Sequence, residues 1–193
     1  MKSFRIVTRD SKAPKPSPYA TSSDFCQVFE EKMNSLYLLS LLLTADHSKA
    51  KRCFIAGLDV AADSPPVFRD WANSWVRRSI IQSAIRLLGL RGADENEAWH
   101  VLSSDVSAGV FPTEQPQIAA ILELPALERF VFVLSVLERY SKQECSLLLG
   151  CTRPEVIAAQ ARAFEQIGHA IQSYDGQRSD ERPSRAEPER VLQ

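Results

Sequence analysis

Residues 124–164 read LPALERFVFVLSVLERYSKQECSLLLGCTRPEVIAAQARAF, and their punctuation predicts three helices in quick succession. Ser141 and Glu144 form a Ser-x-x-Glu box, in which each side chain satisfies an orphaned backbone N–H at a helix start. Leu147, Leu148 and Leu149 give that helix an apolar face, and Gly150 ends it where a positive φ is tolerated. Thr152 caps the next helix, Arg153 and Pro154 occupy its first turn, and Glu155 completes a second box. Two capped helices joined by a turn of about three or four residues have the spacing of a helix-turn-helix, which places its second helix in the DNA major groove. That pattern points to nucleic-acid recognition before catalysis.

The rest of the chain divides around this unit. Residues 1–23 carry Lys2, Arg5, Arg9, Lys12 and Lys15 against the single acid Asp10, and read as a disordered basic arm. Residues 24–91 form an N-terminal helical domain. Its first helix places Phe25, Val28, Phe29, Met33, Leu36, Tyr37 and Ser40 at helical spacing, with a second short helix from Asp46 through Phe54 and a break over 57–64. Pro65 and Pro66 then open a long helix to about residue 90, capped by Asp63 or Ser64. Residues 92–117, acidic at Asp94, Glu95 and Glu97 and broken by Gly109, Pro112 and Pro116, read as a linker. The helix-turn-helix domain spans 118–172, and the polar, mixed-charge residues 173–193 read as a disordered tail. The predicted fold is all-α, with two small helical domains.

The third N-terminal helix is the most uneven in chemistry. Phe68, Trp71 and Trp75 recur at i, i+3 and i+7, the spacing of a core stripe. Arg69, Arg77, Arg78, Arg86 and Arg91 face only one acid, Asp70. A solvated face normally mixes signs, so this local excess suits phosphate or an acidic partner as well as it suits water.

Other chemistry is thinly supplied. The four cysteines form no CxxC pair, which favours a reducing cytosol. A metal site from Cys145, Cys151 and His169 would need helix ends to converge, and each thiol reads instead as a small buried hydrophobe. The glycines make neither GxxxxGK nor GxGxxG, and no nucleophile–base order stands out, so no enzyme activity and no cofactor is expected. Residues 1–20 have no apolar central stretch, and the apolar run 36–43 falls far short of the ~20 residues that span a bilayer. The expected location is cytoplasmic, with no membrane partner.

Three segments, in order, carry a family resemblance. Residues 36–46, LYLLSLLLTAD, are similar to a Leu-Tyr start, an apolar helix and a Thr-Gly/Ala-Asp turn; residues 68–80, FRDWANSWVRRSI, to Phe-Arg-x-Trp-Leu followed by Ala-Arg-Asn. Residues 124–134, LP-x5-VF-x-L, lead into LERYSKQECSLLLGCT, like Leu-Glu-Gly-Leu-Ser-x-x-Glu-Ile-Ala-x-x-Leu-Gly-x-Ser. The chain thus resembles a bacterial RNA polymerase sigma factor of the extracytoplasmic-function type, as a divergent member. The resemblance implies a transcription initiation protein whose partners are promoter DNA and core RNA polymerase, with an anti-sigma protein as a further possible partner. Carried onto this chain, it assigns the promoter −10 strand to Arg69, Arg77, Arg78 and Arg86 and the −35 groove to Thr152, Arg153, Gln160 and Arg162. Asp46, Lys49, Lys51 and Arg52 match the polymerase-docking stretch, with the charge sign inverted where the family carries acids. The family's usual Lys and Arg on the recognition helix are here Ile157, Ala158 and Ala159. These two departures define an alternative, a sigma-derived interaction module that keeps the fold and has lost specific DNA reading.

Overall fold

The computed structural model describes residues 17–89 and 116–180, with side chains as far as Tyr174 in the last helix. Among these residues the protein is all-α. Helices α1 (Ser22–Glu31), α2 (Met33–Thr44) and α3 (His47–Ala62) precede a 3₁₀ turn (Arg69–Trp71) that leads into α4 (Ala72–Leu87). Then come α5 (Pro116–Leu122), α6 (Ala126–Phe132) with a π-helical turn (Val133–Leu137), α7 (Lys142–Leu149) and α8 (Arg153–Asp180).

Local chemistry sets the helix ends. Thr21 and Asp24 box the start of α1, Ser141 and Glu144 that of α7, and Thr152 and Glu155 that of α8. Gly150 closes α7 in the left-handed region at φ 69°. Ala45 does the same for α2 at φ 51°, without glycine's freedom.

Packing follows from which residues are small. On α3 the buried positions are Ala50, Cys53, Gly57 and Ala61, a stripe one residue wide with almost no side-chain volume. Helix α4 lies against it closely enough that a Cβ on Gly57 would come within 2.7 Å of Ile80 Cγ1. Helix α2 is apolar nearly all round, with Leu36, Leu39, Leu41, Leu42 and Leu43 all buried. It covers α3 and α4 on one side and meets α5 and α6 on the other. One apolar cluster of buried residues has members from both halves of the chain.

Arg129 reinforces that junction from within. It is 5% exposed and donates to Leu43 O (3.4 Å) at the end of α2 and to Leu124 O (2.6 Å) ahead of α6. A cation suits the carbonyl end of a helix, whose last acceptors lack partners. Burial pushes its pKa down to about 10, so it stays charged at neutral pH.

Several expected boundaries move. Of the expected basic arm, residues 1–16 lie outside the described residues, while residues 17–21 are pinned. Ala20 N donates to Val67 O (2.7 Å), Arg69 N donates to Pro18 O (2.9 Å), and Tyr19 bridges Phe68. That pairing holds 67–68 extended, so the long helix starts at Ala72 and not at the prolines. Asp63 ends α3 instead of capping α4. The expected break over 57–64 is helical through Ala62, because Gly57 serves close packing rather than a turn. The first helix is interrupted at Lys32 (φ −115°, ψ 18°). Helix α8 runs on to Asp180, past the expected end at Gln172. Of the expected linker, only Pro116 and Gln117 are described, as the start of α5; Asp94, Glu95 and Glu97 lie outside the described residues, as do residues 181–193 of the tail.

Candidate nucleic-acid interface

The core face of α4 is Val76, Ile80 and Ala84, flanked by Ile81 and Ile85; of the arginines before and along it, Arg69, Arg78 and Arg86 are exposed and Arg77 is half-buried. They divide into two kinds. Arg69, in the 3₁₀ turn, stands 3.4 Å from Asp24 across an exposed surface, a pairing worth little in water. Asp24 is held below its ordinary pKa chiefly by hydrogen bonds from Thr21, with Arg69 a lesser cause. Arg77 is engaged much more firmly: its Nε donates to Glu138 Oε2 (2.6 Å) and its Nη2 to Glu138 Oε1. This two-point pairing raises the Arg77 pKa, the hydrogen bond to Glu138 being the main cause.

Arg78 and Arg86 are exposed, and neither has an ion pair among the described residues. With Gln82 between them, they border a cleft of about 320 Å³ whose other walls are Ile85 and, from α7, Leu148. Positions 78, 82 and 86 are one turn apart, so their side chains stack along a single edge of α4. Two guanidinium groups on one edge, with an amide between, can follow a phosphate backbone.

The α7–turn–α8 unit divides its expected contacts too. Thr152 is exposed, but its hydroxyl donates to Glu155 Oε2 (2.7 Å), so it is occupied as a cap. Arg153 is exposed at the first position of α8. Gln160 and Arg162 turn toward α6: Gln160 Nε2 donates to Ser135 Oγ (3.0 Å) and Arg162 Nε to Glu128 Oε1 (2.8 Å). The helical period explains Gln160. Val156, Ala159 and Ala163 form the buried stripe of α8, and position 160 sits at its margin. The outward face of the first turns is instead Pro154, Ile157, Ala158 and Ala161, short or apolar throughout.

On α3, Asp46 is the N-cap and accepts from Lys49 N (2.6 Å), a structural duty where docking was expected of it. Lys49 is half-buried, while Lys51 and Arg52 are exposed beside Ile55, itself 50% exposed. Lys49 in the first turn opposes the helix dipole, so it is not there for the stability of α3.

Two features are not apparent from sequence spacing. The expected core stripe is broken: Phe68 is 47% and Trp71 64% exposed, and Tyr19 stacks on Phe68 (centroids 5.0 Å apart) with Trp71 edge-on to it (5.6 Å). The i, i+3 spacing of Phe68 and Trp71 does not make an α-helical stripe because both precede Ala72, where α4 begins. The second feature is a break in regularity after α6. The π turn ends at Glu138, Tyr140 N donates to Leu134 O (2.9 Å), and Arg139 is forced to φ 61°. A non-glycine residue there costs on the order of 1 kcal/mol.

Among the described residues no three His, Cys, Asp or Glu side chains gather into a metal-binding group. Burial pushes the thiols of Cys53 and Cys145 up to about 11, so both stay protonated at neutral pH. No described helix is long and apolar enough to cross a membrane. No protein-family model matches the chain, and a search of curated proteins finds no match.

Proposed function

We propose that the chain is a sigma-factor-like transcription initiation protein, acting in the cytoplasm, that binds promoter DNA and core RNA polymerase. The observation that carries this reading is the open edge of α4, where Arg78, Gln82 and Arg86 line a cleft beside Leu148 of the first helix of the C-terminal pair. It supplies basic, hydrogen-bonding groups in a row, next to a helix pair capped at both starts and turned at Gly150. Arg153, exposed at the head of α8, is the remaining group for a base edge or phosphate in a duplex. Polymerase docks on the outer face of α3 around Lys51, Arg52 and Ile55.

One observation favours the alternative, a sigma-derived module for a protein partner. The outward face of α8 offers Pro154, Ile157, Ala158 and Ala161, while Gln160 and Arg162 are taken up by Ser135 and Glu128. Such a face suits an apolar groove better than base edges.

Fluorescence-anisotropy titrations of the full chain with labelled single-stranded and duplex DNA over a range of salt separate the two. For DNA binding, replacing Arg78 and Arg86 with Ala flattens the slope of log affinity against log salt by up to ~2 on duplex, about one unit for each phosphate left without its cation. A slope unchanged by that double substitution, with core polymerase still captured by the chain, selects the interaction module.

A further inference from the structure

The chain carries its own carboxylate in the fork of Arg77. Nε and Nη2 of this arginine are both taken by Glu138, a residue 61 positions further along and in the other half of the molecule. The two partners are unequally placed. The Glu138 side chain is 6% exposed and that of Arg77 32%, and both line a cleft of about 410 Å³ that Ser74, Tyr140 and a second acid, Glu144, also border. Glu138 follows directly on the π turn, and the left-handed Arg139 comes next to it. Arg77 directly precedes Arg78, which lines the open edge of α4.

A carboxylate and a phosphodiester present the same feature to a guanidinium, two oxygens that accept two parallel N–H bonds. We propose that Glu138 is an internal competitor for phosphate at Arg77, so that a nucleic-acid backbone gains this third contact only by displacing Glu138. This rests on the reading of α4 as a nucleic-acid surface. Arg78 and Arg86 bind first, and Arg77 joins them when the Glu138 pairing between the two halves opens. The pair thereby couples the relative placement of the halves to strand affinity.

The test uses the full-length chain and a fluorescein-labelled single-stranded oligonucleotide, with anisotropy read across a salt series. Glu138→Gln keeps the shape and removes the charge. It is expected to bind roughly tenfold more tightly than the unaltered chain, the scale of one charge-assisted contact. Its salt slope steepens by ~0.7, one added phosphate on a single strand. The gain disappears when Arg77→Ala is added. Arg77→Lys provides a second route should Glu138→Gln fold poorly. Lysine keeps the charge but cannot hold both carboxylate oxygens, so binding is expected to rise there as well. Binding by Glu138→Gln and Arg77→Lys no tighter than by the unaltered chain overturns the proposal, and if Arg78→Ala/Arg86→Ala still flattens the slope, α4 remains a nucleic-acid surface without a competitor. If that double substitution changes nothing and Glu138→Gln gains nothing, the nucleic-acid reading falls together with the proposal.

Discussion

Replacing Ser141 and Thr152 with alanine removes the side-chain acceptor at the start of both α7 and α8. At each site the hydroxyl oxygen accepts the N–H of the box glutamate, at 3.2 Å for Ser141 and 3.4 Å for Thr152. The glutamate in turn accepts the N–H of the cap residue, at 2.8 and 2.6 Å. Removing one such cap costs ~1 kcal/mol, so the double variant is expected to be less stable by ~2 kcal/mol. For a chain of this size that lowers Tm by about 4–8 °C. The effect also has a signature in pH. Glu144 and Glu155 are held below the ordinary 4.5, in each case chiefly by the hydroxyl hydrogen bond of the cap residue. A depressed folded-state pKa stabilises the native protein above the unfolded value, and the contribution is lost as pH falls through 4.5 toward the lowered one. Without the hydroxyls the glutamates return toward their ordinary range, so the double variant is expected to lose less additional stability than the unaltered chain on acidification. Urea denaturation followed by circular dichroism at pH 7 and at steps down to pH 3 measures both. A double variant within ~0.5 kcal/mol of the unaltered chain at pH 7, or one with the same acid limb, would refute the reasoning that these boxes hold the helix pair.

Two further expectations concern backbone and packing. Arg139→Gly relieves the left-handed φ of 61° at an exposed position and is expected to raise stability by up to ~1 kcal/mol in the same denaturation assay; a decrease would show that the Arg139 side chain outweighs the strain. Gly57→Ala brings a methyl to 2.7 Å from Ile80 Cγ1 and 3.2 Å from Ile80 Cα, and overpacking is expected to exceed the helix-propensity gain by about 1–2 kcal/mol; unchanged stability would mean that α3 and α4 can separate at no cost.

What could be read from the sequence was local. The boxes at Ser141 and Thr152 and the turn at Gly150 act within a few residues, so their chemistry is visible in the chain itself. Gly57 illustrates the limit, since a glycine that permits close packing and one that turns the chain look alike until the partner at Ile80 is known. Phe68 and Trp71 have helical spacing, but pairing of residues 67–69 with 18–20 keeps them out of the helix and leaves both rings exposed. The site depended most on distant partners. Nothing near Arg77 announces Glu138, nor does anything near Arg162 announce Glu128, 34 positions away. Arg78 and Arg86 lie in the same arginine-rich stretch as Arg77, and tertiary structure alone distinguishes the occupied cation from the open ones.

The most direct measurement is retention of core RNA polymerase by the immobilised full chain, alone and with Lys49, Lys51 and Arg52 replaced by Glu. A sigma-like initiation factor retains the core enzyme. If the docking surface on polymerase is built for acids, like charges face each other in the unaltered complex, and the reversal to Glu strengthens retention. Retention by neither protein, under salt conditions where both are folded, would contradict the assignment of this chain to transcription initiation.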